Sequence, residues 1–267
     1  MKTIEMPVGG IVSQAEWVKA RAEFLAKEKE FTRLRDDLAR QRRELPWARV
    51  EQEYEFEGPD GPESLADLFE GRSQLVVYHF MLGPGWEEGC PGCSFVSDHF
   101  DGAIAHLNAR DVTLVVVSRA PLSQIRAFQQ RMGWKFKWVS SAESEFNFDY
   151  GVSFTKEQVA SKKVPYNYGV REFPKEEAPG MSVFYRSLDG DIFHTYSTYG
   201  RGLDPFVGAY QFLDIVPKGR DEDGLPSPMA WLKHHDRYPS STVSSAIASA
   251  AKAMAKGTCC SGGKDCA

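Results

Sequence analysis

The sequence predicts an α/β fold in which a mixed β-sheet is flanked by helices, and three observations support it. Residues 74–81 and 112–118 form nearly continuous apolar runs, which is typical of strands covered on both faces. Amphipathic segments alternate with such runs, and this order favours right-handed crossovers on a parallel sheet. Two further strand-like runs flank Leu188-Asp189-Gly190, a sequence that favours an antiparallel hairpin.

The composition is that of an ordinary globular protein. Of 267 residues, 42% are hydrophobic and 26% are charged, which argues against wholesale disorder. The formal net charge is -5, so no excess of basic side chains points to nucleic acid. No apolar run approaches the ~18 residues that span a bilayer, and residues 1–10 lack the features of a secretory signal. We therefore expect a cytoplasmic protein without nucleic-acid or membrane partners.

Residues 1–48 are predicted to contribute a long N-terminal amphipathic helix, over residues 13–45. Ser13 and Glu16 have the spacing of a capping box, and Pro46 ends the helix. The large apolar residues recur every seven positions, at Trp17, Phe24, Phe31 and Leu38. Because such a stripe needs a partner, we expect it to pack on its own domain or, alternatively, on a second subunit of a homodimer.

Residues 49–238 are predicted to form the main domain. Residues 50–56 alternate apolar and polar side chains as a strand does, and a turn rich in Gly and Pro follows. Residues 64–70 are predicted to form a short helix that Ser64 caps and Gly71 ends. Farther along, the patterns predict helices at 90–109, 121–132 and 203–213, strands at 136–140, 182–187 and 191–197, and a long insertion at 147–179 before the hairpin.

Residues 239–267 are predicted to form a mobile tail. Its composition shifts to Ser, Thr, Ala and Lys, and it carries Cys259, Cys260 and Cys266. These three thiols are expected to pass electrons to a disulfide between Cys90 and Cys93, to bind a soft metal, or to be incidental.

The strongest chemical signal is Cys90-Pro91-Gly92-Cys93, at the junction of a predicted strand and a predicted helix. Residues three apart in a first helical turn face each other, so two thiols there can form a short disulfide. A helix N-terminus stabilises a thiolate through its partial positive charge and free backbone N–H groups. The motif therefore predicts thiol–disulfide exchange without a cofactor, with Cys90 as the nucleophile and Cys93 as the resolving thiol. The exchange can either reduce a substrate disulfide or form one, and the residues leave the direction open.

Longer strings of sequence resemble one known family. They include Gly89-Cys90-Pro91-Gly92-Cys93-Ser94-Phe95 and, in order around it, residues 81–84 with Trp86, 98–102, 132–134, 138–141, 182–186, 193–199 and 217–222. Together, over residues 65–238, they resemble the bacterial domain-of-unknown-function 899 family, catalogued as predicted dithiol–disulfide oxidoreductases of thioredoxin-like fold. The resemblance implies that fold and a protein or small-molecule disulfide as substrate, with an electron donor that it does not identify.

Four further residues are candidates for the site. His79 lies on the strand that leads to the dithiol, near where thioredoxin-like proteins place a buried acid, and is a candidate general base for Cys93 or a structural histidine. Pro179 precedes a predicted strand and is a candidate for the cis-proline that faces the dithiol in this superfamily. Trp86, the nearest indole, and Tyr196, in a run rich in hydroxyls and aromatics, are candidates for substrate contact.

Two alternative functions remain open from the residues. A thiol peroxidase would use Cys90 as the peroxide-attacking thiol, although such enzymes have Thr three residues earlier, where this chain has Glu87. A non-enzymatic metal-binding module would combine Cys90 and Cys93 with the tail cysteines around zinc or another soft metal.

Overall fold

The computed structural model describes residues 10–239, and the predicted tail with Cys259, Cys260 and Cys266 lies outside these residues. The strands are β1 (Ala48–Arg49), β2 (Glu55–Gly58), β3 (Gly61–Ser64), β4 (Gln74–His79), β5 (Val112–Ser118), β6 (Lys137–Ser140), β7 (Val164–Tyr166), β8 (Gly169–Arg171), β9 (Gly180–Arg186) and β10 (Ile192–Tyr199). The α-helices are α1 (Gln14–Arg43), α2 (Pro91–Ser97), α3 (Asp101–Asn108), α4 (Leu122–Met132), α5 (Phe146–Asp149), α6 (Lys156–Ala160) and α7 (Gly208–Leu213). Short 3-10 turns occur at Asp67–Phe69, Gly200–Phe206 and His235–Arg237.

Within the described residues, one mixed sheet has the strand order β1-β10-β9-β4-β5-β6-β2-β3. Strands β4, β5 and β6 are parallel, whereas β9 pairs antiparallel with β4 and β10 antiparallel with β9. Val77 lies opposite Val115 on one side and Ser182 on the other, which places β4 near the middle of the sheet. The predicted α/β class is confirmed, and the fold is thioredoxin-like.

The two faces of the sheet are covered by different core clusters. Side chains alternate along β4, so that Tyr78 points into one cluster and Val77 into the other. The first cluster contains residues of α2, α4 and α7 and the large rings of Phe80 and Trp138. The second contains β-branched residues of β5 together with Phe146 and the 3-10 turn at Asp67–Phe69. Burial on both faces explains why β4 and β5 have continuous apolar sequences.

The prediction of a single strand over residues 50–56 is wrong. Strand β1 pairs with β10, while β2 pairs with β6 near the other edge of the sheet. The chain therefore crosses one face of the sheet between these two strands. Val50 and Tyr54 lie in this crossing segment and pack in the second core cluster. Their burial explains why the segment has apolar positions although it forms no strand.

The predicted helix at residues 90–109 is divided into α2 and α3. The break lets Phe100 turn into the core, where its ring meets that of Tyr78 edge to face at 5.2 Å. The Asp98 carboxylate accepts a hydrogen bond from Trp134 Nε1 at 2.9 Å, and Asp101 accepts one from the backbone N–H of Phe136. These tertiary hydrogen bonds stabilise the break between α2 and α3. The helical periodicity of the sequence does not reveal the break.

Two further predictions differ in detail. The helix predicted at residues 203–213 is a 3-10 turn at Gly200–Phe206 followed by α7, because Pro205 interrupts the regular pattern. The insertion at residues 147–179 contains α6 and the hairpin of β7 and β8. The predicted short helix at residues 64–70 is only the 3-10 turn at Asp67–Phe69.

Helix α1 forms with the predicted cap, but its apolar stripe does not pack on its own domain. Ser13 and Glu16 make both hydrogen bonds of the capping box. None of the 30 residues in the helix is buried within the described structure. Trp17, Phe24, Phe31 and Leu38 are 53%, 54%, 65% and 49% exposed. The expectation that this stripe packs on its own domain is therefore wrong.

The contacts divide the chain after Leu232, and residues 233–239 belong to a separate unit. That unit contains the turn His235–Arg237, beside which the Lys233 N–H donates to the Tyr238 hydroxyl at 3.0 Å. None of the helices among residues 10–239 is both long enough and apolar enough to cross a bilayer.

Candidate active site

The dithiol is held against the end of β4 by backbone hydrogen bonds. After β4 the buried residues 80–82 continue the strand direction, and an exposed loop then returns the chain to Cys90. The Cys90 N–H donates to the Met81 carbonyl at 3.1 Å, and the Met81 N–H donates to Cys93 Sγ at 3.4 Å. These two bonds fix both cysteines relative to the core.

Helix α2 begins at the dithiol. Cys90 is its N-cap residue, with an extended backbone (φ -61°, ψ 129°), and Pro91 occupies the first turn, where its missing N–H has no cost. The Cys90 carbonyl accepts hydrogen bonds from the N–H and the hydroxyl of Ser94, at 2.9 and 3.0 Å. Cys93 therefore lies one helical turn after Cys90, and both thiols are free.

The environment of Cys90 favours its thiolate. Its pKa is lowered to about 6, chiefly because the neighbouring Cys93 thiol can donate a hydrogen bond to it. Burial opposes this shift, while the backbone N–H groups of Cys93 and Gly92 and the positive charge of Lys175 add to it. A large fraction of Cys90 is therefore ionised at neutral pH.

Cys93 has the opposite character. Its side chain is buried, and burial followed by the proximity of Cys90 raises its pKa well above the usual value for a thiol. The Tyr78 hydroxyl and the Met81 N–H partly oppose this increase. The pair thus consists of a partly exposed thiol that ionises readily and a buried thiol that retains its proton.

Tyr78 is the buried polar group beside Cys93. Its ring lies in the same core cluster as Cys93, and its hydroxyl lacks a hydrogen-bond partner among the described residues. Burial, followed by the nearby charge of Cys93, raises the pKa of Tyr78 well above that of a free tyrosine. The hydroxyl therefore stays protonated and can donate to a Cys93 thiolate. Tyr78 and His79 are neighbours on the predicted strand, and the alternation of side chains along β4 directs Tyr78, not His79, toward the dithiol.

His79 does not face the dithiol, and its suggested role as the base for Cys93 is corrected. Because neighbouring strand residues point to opposite faces, its ring packs near Phe146 and Tyr150 in the other core cluster. Its Nε2 shares a hydrogen bond of 2.9 Å with the Ser182 hydroxyl. Burial lowers the pKa of His79 to about 3. The histidine is therefore neutral and structural.

The other three predicted site residues differ in how they relate to the dithiol cleft. Pro179 lines the same cleft as Cys90, but its peptide bond is trans, so the expectation of a cis bond is wrong. Trp86 is half-buried, and Lys175 Nζ lies 5.1 Å from its ring centroid. Tyr196 is on β10, two strands from β4, and its ring lies under the Arg42 guanidinium at 4.8 Å. Tyr196 does not line the dithiol cleft.

A cleft of about 1150 Å³ opens at the dithiol. Apart from Cys90 and Cys93, its lining is rich in apolar side chains, which include Met81, Val96, Phe173, Leu203, Val207 and Met229. Charged residues of both signs also line it, among them Lys175, Arg220 and Asp204. A space of this size and composition can hold a largely apolar group next to the Cys90 sulfur.

One wall of the cleft is a segment that we call the strap, residues 214–231. Glu222 anchors it by accepting hydrogen bonds from the Tyr210 hydroxyl, the Met229 N–H and Trp231 Nε1, at 2.8, 3.1 and 2.7 Å. Arg220 lies 3.8 Å from the Tyr210 ring centroid and binds Asp214. The strap places the Met229 sulfur 3.7 Å from the point where a Cβ on Gly92 would be. The sequence pattern did not predict a role for this segment.

Steric crowding explains why glycine occupies position 89, directly before Cys90. A Cβ at this position would lie 2.5 Å from Phe80 Cε1 and 2.7 Å from Phe128 Cε1, so any side chain here would require the rings to shift. The backbone passes directly over two core rings here, so a large residue at this position would displace them.

Within residues 10–239, no three or more His, Cys, Asp or Glu side chains are grouped in a way that could hold a metal ion. The tail cysteines on which the metal-binding alternative depends lie outside those residues.

Comparisons with known proteins place the chain in a family. No curated protein matches it. Similar solved structures include peroxidoxin BcpB of Mycobacterium tuberculosis, with a TM-score of 0.41 and 14% identity, covering 60% of this chain and 92% of that one. Xanthomonas campestris peroxiredoxin Q has a TM-score of 0.39 and 15% identity, covering 58% of this chain and 87% of that one. Another is a putative thiol:disulfide interchange protein DsbE of Chlorobium tepidum, with a TM-score of 0.37 and 13% identity, covering 62% of this chain and 97% of that one. Residues 6–238 match the family described as bacterial protein of unknown function (DUF899), and the chain belongs to that family.

Proposed function

We propose that this protein is a thiol–disulfide oxidoreductase in which Cys90 is the nucleophile and Cys93 the resolving thiol. The observation that carries the proposal is the asymmetry of the dithiol. Cys90 is accessible from the cleft with a pKa of about 6, whereas Cys93 is buried directly behind it with a raised pKa. This arrangement provides a thiolate for attack on an outside sulfur and a second thiol that only the resulting intermediate needs.

The reaction proceeds in two exchanges. The Cys90 thiolate attacks one sulfur of the substrate disulfide, forms a mixed disulfide, and releases the other substrate sulfur as a thiolate. Cys93 then loses its proton and attacks Cys90 Sγ. The second substrate thiolate leaves, and the two electrons that reduced the substrate have come from the dithiol, which is now a disulfide. An external dithiol must reduce it for the next cycle.

Trapping the intermediate tests this proposal. In the full chain with Cys93→Ser, the mixed disulfide between Cys90 and the substrate cannot be resolved, so it should accumulate. Incubation with a small disulfide, followed by acid quenching and peptide mass spectrometry, should find the substrate thiol attached to Cys90. The matched variant Cys90→Ser should accumulate no adduct on Cys93, because burial keeps that thiol protonated and covered.

Two results would contradict the proposal. An adduct on Cys93 in the Cys90→Ser variant would reverse the two roles. Rapid consumption of hydrogen peroxide that depends on Cys90, without exchange with any disulfide, would favour the thiol peroxidase instead. The chain with serine at positions 259, 260 and 266 should give the same adduct as the unmodified tail, which separates the dithiol chemistry from the tail thiols.

The cleft favours a substrate with an apolar group beside its disulfide. Met81, Val96 and Leu203 lie on the walls around Cys90, and contact with such side chains favours hydrocarbon over strongly hydrated groups. Residues of the strap and of the turn at Gly200–Phe206 line the cleft that contains the sulfur, so a small molecule or an extended peptide fits better than a flat protein surface.

This preference can be measured with two disulfides of similar size. We expect the symmetrical disulfide of the dipeptide Phe-Cys to have a kcat/KM roughly tenfold to a hundredfold above that of the Ser-Cys disulfide, since a buried apolar side chain provides discrimination of that order. Steady-state assays with dithiothreitol as reductant would show it. Equal values would contradict the apolar preference and leave the exchange reaction itself unaffected.

A further inference from the structure

Helix α1 presents an apolar stripe that no other part of the described chain covers. Its large apolar residues recur at seven-residue intervals, at Trp17, Phe24, Phe31 and Leu38. Each is about half exposed or more. With 30 residues, the helix is about 45 Å long. A helix whose uncovered stripe has this spacing has the periodicity of one strand of a coiled coil.

The seven-residue period assigns every residue of α1 to a heptad position. If the four residues of the stripe are at position a, the d positions are Ala20, Lys27, Leu34 and Gln41. Six of these eight core positions are apolar, which is enough for an interface, and the two polar d positions reduce its stability. Lys27 and Gln41 also restrict the register in which two such helices can pair.

The positions beside this core are sorted by charge. All four g positions are acidic, and they are Glu16, Glu23, Glu30 and Asp37. Three of the four e positions are basic, namely Arg21, Arg35 and Arg42, and the fourth is Glu28. Such a segregation of acid to one flank and base to the other is informative, because g and e side chains meet across a coiled coil.

The charge pattern distinguishes between the two orientations of a pair. In a parallel dimer, each g residue meets the e residue five positions later in the partner helix. This pairs Glu16 with Arg21, Glu30 with Arg35, and Asp37 with Arg42, and only Glu23 meets a like charge. In an antiparallel dimer, g meets g and e meets e, so acids face acids and most bases face bases.

We propose that α1 forms a parallel two-stranded coiled coil with α1 of a second copy of this chain. The occupant of the apolar stripe is thus identified by charge complementarity, since the flanks of α1 complement those of an identical parallel helix. Within one chain, Arg21 pairs with Glu28 and Asp37 pairs with Arg40. Glu30 and Arg35 make no ion pair among the described residues, so this pair is the one available to a partner without a rearrangement. The inference rests on α1 alone and does not depend on the chemistry of the dithiol.

The orientation determines where the two domains lie. Trp47, four residues after α1, packs on Tyr185 and Phe193 with ring centroids 5.1 and 6.0 Å apart, and β1 pairs with β10. The C-terminal end of the helix is therefore joined to the sheet through a short, packed connection. A parallel coiled coil places both domains at the same end of the pair.

Charge reversal in the full chain tests the proposal. Sedimentation equilibrium at low micromolar concentration should find a dimer. Glu30→Lys places lysine against Arg35 of the partner at two equivalent contacts, and should raise the dissociation constant roughly tenfold. Arg35→Glu should do the same. The double variant Glu30→Lys/Arg35→Glu exchanges the two charges and should restore the original constant. Asp36→Lys, an acid-to-base change at an outer f position, is the matched control and should have little effect.

Each outcome decides the proposal. A monomer over the whole concentration range would overturn it, and so would a dimer that Phe31→Asp does not dissociate, because the stripe would then not be the interface. Glu30→Lys would relieve acid–acid contacts in an antiparallel pair, so tighter association of this variant would overturn the parallel orientation. Circular dichroism of each variant confirms that the domain is folded, so that a change in association can be assigned to the helix.

Discussion

Replacement of Cys90 by serine is expected to lower the rate of disulfide reduction by about three orders of magnitude or more. The hydroxyl of serine is not ionised at neutral pH and cannot form the sulfur–sulfur bond that the exchange requires. The remaining thiol of the pair, Cys93, is buried and keeps its proton. Turnover of a small disulfide with dithiothreitol as reductant measures the effect. Cys259→Ser removes one thiol from the tail and is the control, with unchanged turnover expected.

The pH dependence of Cys90 provides an independent measurement of the same assignment. Alkylation by iodoacetamide requires the thiolate, so its rate should reach half of its maximum near the Cys90 pKa of about 6. Below that pH the rate should fall about tenfold per unit, because the thiolate fraction does so. A midpoint near the ordinary thiol value of about 8.5 would contradict the assignment. Substantial turnover by the Cys90→Ser variant would contradict it as well.

Replacement of Tyr78 by phenylalanine is expected to slow the resolving step roughly tenfold to a hundredfold. The buried hydroxyl lies beside Cys93 and lowers the pKa of that thiol, which burial otherwise raises. Without it, the Cys93 thiolate forms less readily, while the attack by Cys90 is nearly unaffected. In a rapid-mixing experiment the Cys90 mixed disulfide should therefore accumulate, and the pH at which resolution becomes fast should move upward.

His79→Gln provides the matched control for Tyr78→Phe. Both residues are buried neighbours on β4, but His79 points into the opposite core cluster, where it binds Ser182. Its replacement should lower thermal stability and leave the ratio of the two exchange rates unchanged. Equal slowing of both steps by Tyr78→Phe would indicate a general disturbance of the site and would contradict a role in resolution.

The sequence by itself determined the features that local patterns control. Continuous apolar runs predicted β4 and β5, since a strand covered on both faces contains few polar residues. The Leu188-Asp189-Gly190 turn predicted the hairpin of β9 and β10 because that turn constrains the backbone locally. The same reasoning placed Cys90 before a helix, because Pro91 and Ser94 next to it in the chain favour a helix that begins there.

Features that depend on distant residues were decided only by the tertiary structure. The crossing of residues 50–54 over the sheet follows from which edges β1 and β2 join. Whether Tyr78 or His79 faces the dithiol depends on which face of β4 packs against α2. Met229 lies beside the dithiol because its backbone N–H is bound by Glu222, within the strap. Helix α1 illustrates the same limit, because its seven-residue spacing predicts that the stripe is covered without saying by what, and only the tertiary structure shows that its own domain leaves the stripe exposed. In each case the energy comes from contacts between segments far apart in the chain, and no local pattern records those contacts.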